Sequence, residues 1–194
     1  MVGPTEVNGL PAHVLLVHVV VILVPLAALL VVLAALWPAA RRRLGLITPL
    51  VALVALISVP VTTHAGEWLE ERVSSDELVR RHAELGDELL PWVIGLFVLA
   101  LAGWLWAAYS SGGWPFGTRS GPPSTRVPAG AGAQPAGTGA GSAATGTRAG
   151  PAVVVVLAVL SVAVSVGSVV QIYRIGDSGA KAVWDGGFSE SPRS

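Results

Sequence analysis

The stretch VLLVHVVVILVPLAALLVVLAALWPAARRRLGLITPL, residues 14–50, decides the fold. Twenty-four residues, Val14 to Trp37, pass without a Lys, Arg, Asp or Glu. Pro38 and the triplet Arg41, Arg42 and Arg43 then close the run, and a second apolar run starts at Leu44. A bilayer core is crossed by about 20 apolar residues as a helix. In hydrocarbon the backbone must satisfy its own hydrogen bonds, so such a run has to be helical. A signal peptide is the competing reading, but it carries a basic n-region and an apolar stretch of only about 7–15 residues. Here the residues before the run hold Glu6 and no Lys or Arg, so a retained helix is expected.

Outward from this segment the pattern repeats. Uncharged apolar runs cover about 14–37, 44–62, 89–109 and 152–172. The whole chain is 53% hydrophobic and 12% charged, about half the charge of a soluble domain. With the four runs set aside, nothing is left that would bury a soluble core. The expected fold is an all-α integral membrane protein, a bundle of four transmembrane helices. Three parts follow: 1–110 with three spans and an outer loop, 111–150 as a linker, and 151–194 with the fourth span and a tail. The linker holds eleven Gly and five Pro. That composition buries too little to offset its ordering entropy, so a disordered linker is expected there.

Charge placement orients the spans. Basic residues beside membrane helices stay on the cytoplasmic side. Arg41, Arg42 and Arg43 fill the turn between the first two spans, and Arg119, Arg126 and Arg148 are the only charges of the linker. All twelve acidic residues fall on the opposite side. Both termini are therefore expected to be extracytoplasmic. Arg outnumbers Lys eleven to one and Ala, Val and Gly abound, a bias that suits a bacterial inner (plasma) membrane. Trp37, Trp104, Trp106 and Tyr109 sit at inner span ends and Trp68, Trp92, Tyr173 and Trp184 at outer ends, as interfacial aromatics do. The partners implied are the lipid bilayer, other membrane proteins and redox modules. Nothing suggests nucleic acid.

The outer loop has its own signal. Ser74 and Glu77 have capping-box spacing, and Leu78, His82, Leu85 and Leu89 recur on one helical face. They predict a short amphipathic helix leading into the third span, broken near Pro91. In the fourth span Ser161, Ser165 and Ser168 share a face and Ala163 and Gly167 form a small-x-x-x-small pair, the marks of close packing in lipid. Pro25, Pro49 and Pro60 are expected to bend the first two helices. Gly176 and Gly179 suggest a turn, with residues 174–184 as a loop that caps the bundle. Asp177-Ser178 has the look of a nucleophile motif, but no base is placed beside it by sequence.

Candidate chemistry rests on histidine. No Cys is present and Met1 is the sole Met, which excludes thiolate and thioether ligands and disulfides. His13, His18, His64 and His82 come from three segments and reach one face of the membrane. One reading is a b-type haem or metal held between helices by neutral imidazoles. On that reading His18, His64 and His82 are the cofactor ligands and His13 a metal ligand. His18 is expected to be interior, about 7.5 Å deeper than His13 at 1.5 Å per residue. The two are about 140° apart around the helix, so His18 would pair with His64 or His82. The plainer reading leaves His64 and His82 solvated, His13 interfacial and only His18 hydrogen-bonded inside. A proton relay is a third. Glu67, Glu70 and Glu71 beside His64 read best as a solvated helix start.

Gly9-Leu-Pro-Ala-His13, His18, Thr63-His-Ala-Gly-Glu-Trp68, His82 with Gly86-Asp87, and Arg174 to Trp184 together resemble the bacterial membrane family called domain of unknown function 2231. The resemblance covers the spans and outer loops, not the linker. It implies a compact four-helix membrane domain without an established activity, at times beside redox modules. A histidine would be expected where Asp177 stands. The sequence thus favours a non-enzymatic multi-pass membrane protein. The alternatives are a haem or metal protein of extracytoplasmic electron transfer, or a structural partner subunit of a membrane complex.

Overall fold

A computed structural model describes residues 6–73, 76–110 and 151–184. Two short strands, β1 (Glu6–Val7) and β2 (Leu10–Pro11), pair antiparallel. Asn8 and Gly9 join them with φ of 53° and 77°, the left-handed pair that a two-residue hairpin loop requires. Among the described residues six helices follow: α1 (Ala12–Leu36), α2 (Pro38–Leu44), α3 (Ile47–Glu70), α4 (Glu77–Asp87), α5 (Leu89–Ser110) and α6 (Pro151–Trp184). Four helical stretches among these residues are long and apolar enough to cross a membrane: α1, α3, α5 with α4 leading into it, and α6.

α1 and α5 each pack against both α3 and α6, so the four long helices close a four-cornered bundle in the order α1, α3, α5, α6. α4 lies across one end and packs chiefly on α6. Small side chains fill the interior: Ala27, Ala28, Ala52, Ala55 and Ala100, with Ser161, Ser165 and Ser168 from α6. Ser165 Oγ donates to the Ala28 carbonyl at 3.2 Å and Ser168 Oγ to the Val164 carbonyl at 2.7 Å. The serine face thus packs inward as its spacing predicted. Gly167 lies against Trp92, so closely that a Cβ there would sit 1.9 Å from the ring.

Several boundaries differ from the sequence reading. The arginine triplet forms a helical turn in α2. Arg41 Nε donates to the Ala34 carbonyl at 2.9 Å and Nη2 to Ala35 at 3.4 Å, satisfying carbonyls that the end of α1 leaves open. Gly45 follows at φ 46°, a left-handed conformation that lets the chain reverse into α3. α3 continues past Thr62 to Glu70, so His64 is helical and not in a loop. α6 likewise continues to Trp184, and the expected turn at Gly176 and Gly179 is absent. Each glycine costs a helix about 1 kcal/mol, and the packing of Gln171, Ile175 and Ser178 against α4 outweighs it. α4 forms where expected, but its N-cap is Asp76; Ser74 lies outside the described residues, as do the linker 111–150 and the last ten residues. The chain turns at Glu88, between α4 and α5, because the Pro91 ring would clash with the carbonyl four residues back, at Asp87. Pro25 and Pro60 are held inside continuous helices.

Candidate functional site

The buried stripe of α1 runs Val20, Val24, Ala27, Ala28 and Val31, and seven residues before Val20 it reaches His13. His13 is half-buried, and its Nδ1 lies 3.0 Å from the Thr62 carbonyl of α3. A carbonyl only accepts, so Nδ1 carries a proton, and in the neutral ring Nε2 holds the lone pair. Gly66, one turn beyond Thr62, faces the same imidazole: a Cβ there would stand 3.0 Å from its Cε1 and Nδ1.

His82 repeats the arrangement with α6. Its Nδ1 lies 3.1 Å from the Ile175 carbonyl and 3.1 Å from Ser178 Oγ. Gly179, again one turn on, would put a Cβ 3.0 Å from the His82 ring. Ser178 Oγ donates to Ile175 O at 2.8 Å, so the hydroxyl receives the imidazole proton and gives its own to the helix. That is the reverse of nucleophile activation, although a histidine does stand beside the Asp177-Ser178 pair. In the neutral ring of His82 too, Nε2 holds the lone pair. The His13 and His82 ring centres are 6.3 Å apart with planes at 87°.

A polar brace holds α4 in place beneath this pair. Gln171 Nε2 donates to the Leu85 carbonyl at 2.8 Å and to Glu88 Oε2 at 3.2 Å. Arg174 Nη1 donates to Gln171 Oε1 at 3.2 Å and lies 4.0 Å from Glu88. Gln171 is buried, and hydrogen bonds of this kind are what a buried amide requires.

The other two histidines stand apart. His18 is exposed on the outward face of α1 and bonds only its own helix, with Nδ1 2.7 Å from the Val14 carbonyl. The interior position expected for it is not found: His18 lies two residues before Val20, about 200° around the helix from the buried stripe. His64 is exposed and lies 3.4 Å from Glu67. The structure therefore brings together His13 and His82, and neither His18 nor His64 with them. Thr62, Gly66, Ser178 and Gly179 complete the pair's surroundings. Among the described residues no three of His, Asp and Glu gather as a metal site.

α4 carries Glu77, Arg80, Arg81, Glu84 and Asp87, so the segment apolar enough for a membrane begins at Leu89 and His82 lies outside it. Burial pushes the His82 imidazole below the ordinary histidine value; its bond to Ile175 raises it, and His13 nearby lowers it. A depressed folded value means the unfolded chain takes up the proton first. Stability is then full above the unfolded value, about 6.5, and is lost as pH falls through the folded value. The melting temperature of the detergent-solubilised protein should fall between pH 7 and pH 5. In His82→Gln that fall should be smaller, and thermal scans across the pH series check this.

Searches against protein-family models, curated proteins and solved structures gave no match for the chain.

Proposed function

We propose that the chain is an integral membrane protein that holds a b-type haem between His13 and His82 at its extracytoplasmic end, as a non-enzymatic electron carrier. The membrane part is supported by the inside-out distribution of side chains. Ile22, Leu29, Val54, Ile57, Val98, Val155 and Val159 are each at least half exposed. Keeping one such side chain in water forgoes about 1.5–3 kcal/mol. Seven together match a whole domain's folding free energy of about 5–15 kcal/mol, whereas in lipid they cost nothing. Arg41, Arg42 and Arg43 mark the cytoplasmic end. A reporter active only outside the membrane should give signal when fused after Ser194 or within 74–76, and none within 130–140. The opposite pattern would invert the orientation.

The observation that carries the cofactor reading is the pair of imidazoles with both Nδ1 protons engaged and neither Nε2 bonded among the described residues. A backbone carbonyl on Nδ1–H is the usual outer-shell partner of a ligating histidine. The two ring centres are 6.3 Å apart, near enough that one metal held at about 2.0–2.1 Å from each nitrogen would be shared by both residues. The donor set also chooses between ligands. A bare metal ion asks for at least three protein donors, and no third is present among the described residues. Haem, which carries nitrogen donors of its own, would ask the protein for only two, His13 and His82. A cleft of about 240 Å³ beside Ser178 is lined by Arg81, Arg174, Asp177 and Lys181, with neither imidazole in its wall, and Lys181 pairs with Asp177 there at 2.7 Å. When bound, haem supplies a one-electron carrier. The protein's part is to fix both imidazole tautomers and hold their rings. Titration of the purified protein with haem should saturate at one per chain, and failure to saturate would reject the reading.

Membership in the domain of unknown function 2231 family belongs to the same proposal. Three of the stretches that carry the resemblance, around His13, Gly66 and Gly179, meet at this site together with His82. The Nδ1 bonds also suit a purely structural use of the histidines as helix clamps. That reading requires no Nε2 ligand.

A further inference from the structure

The end of the bundle opposite the histidines holds a cavity of about 280 Å³ between α1, α5 and α6. Its walls are apolar, with Val31, Leu99, Leu157 and Ala158 among them, and Trp104 and Trp106 border it. Such a volume is about the lower limit of small-molecule sites. Two features inside it lack partners. Thr48 is 3% exposed, and its Oγ1 makes no hydrogen bond, which a buried polar atom rarely lacks. Arg42, at the mouth, is exposed and makes no ion pair or hydrogen bond among the described residues, whereas its neighbour Arg41 is used on the end of α1.

An apolar chamber with the unpartnered Thr48 hydroxyl and Ser161 in its wall and the Arg42 guanidinium at its rim matches one chemical class. We propose that this cavity binds an anionic acyl amphiphile. The acyl chain lies along Val31, Leu157 and Ala158, a carbonyl oxygen accepts from Thr48, and the anionic head rests on Arg42. Basic pockets between membrane helices at the cytoplasmic face recognise anionic lipid headgroups on the same physical grounds. The inference rests on the membrane reading and is independent of the haem.

Trp104 and Trp106 provide the readout, because bromine on an acyl chain quenches indole fluorescence on contact. The full chain in detergent is titrated with brominated-acyl phosphatidylglycerol, brominated-acyl phosphatidylcholine and a brominated free fatty acid. Phosphatidylglycerol should reach half-quenching at an about fivefold lower mole fraction than phosphatidylcholine, what one arginine contributes at an anionic surface. Arg42→Gln, an exposed change that leaves the fold alone, should erase that difference. Ala158→Leu should fill the cavity and remove the headgroup-dependent part of the quenching, and Trp104→Phe with Trp106→Phe should remove the same part. If the fatty acid matches phosphatidylglycerol, a free carboxylate is the ligand; if only phosphatidylglycerol quenches, it is a phospholipid. Equal quenching by both phospholipids, or a preference that survives Arg42→Gln and Ala158→Leu, would overturn the proposal and leave water as the cavity's content. Carbonate extraction of membranes separates the two levels: release into the supernatant defeats the membrane reading, whereas retention without lipid preference defeats this inference alone.

Discussion

Replacing either His13 or His82 with alanine should lower haem affinity by more than about a hundredfold, since outer-shell partners of a ligating histidine alone account for about 10–100-fold. His18→Ala and His64→Ala should leave affinity within about twofold, because His18 faces outward and His64 pairs with Glu67 in solvent. Ser178→Ala should cost little, since the Ile175 carbonyl still holds the His82 tautomer. Haem titrations of the five variants check the series. A clamp without cofactor gives another pattern: His13→Ala and His82→Ala would then lower stability by about 0.6–2 kcal/mol, the range for polar contacts between membrane helices, with no haem signal to lose.

The second large effect concerns Gly167. A Cβ at this position would come within 1.9–2.6 Å of three ring atoms of Trp92, far inside contact distance. Gly167→Ala must therefore move the indole or part α5 from α6, an overpacking that costs about 1–3 kcal/mol. Unfolding in detergent should show the loss. Trp92→Leu in the same chain should restore most of it, because the clash is with the ring. A neutral Gly167→Ala would mean that the indole, about one-third exposed, swings away freely.

Much of this fold was legible because long uninterrupted apolar runs mark helices. The number of helices long and apolar enough to cross a membrane, the amphipathic α4 and the inward serine face of α6 all follow from that and from spacing. What could not be read was the rotation of α1. It is apolar all round, so periodicity does not mark a buried face. The interior stripe is set instead by small residues, Ala27 and Ala28, that let α3 and α6 approach. With that register unknown, depth favoured His18 over His13, and depth was the wrong criterion. The extensions of α3 to Glu70 and of α6 to Trp184 were hidden for another reason. Their residues are polar or Gly-rich, and what keeps them helical is packing across the histidine end. Gly66 and Gly179 are informative only once each is seen facing an imidazole. The hairpin at Asn8-Gly9, by contrast, carried a sequence signal that the reading passed over.

Whether His13 and His82 ligate one haem iron is decided by the visible absorption spectrum of the full chain purified from membranes of cells supplied with haem. Ligation by both gives a Soret band of a low-spin haem at one per chain, unchanged in a His18→Ala/His64→Ala double variant and absent in His13→Ala. A colourless wild-type protein, folded and inserted under those conditions, would contradict it.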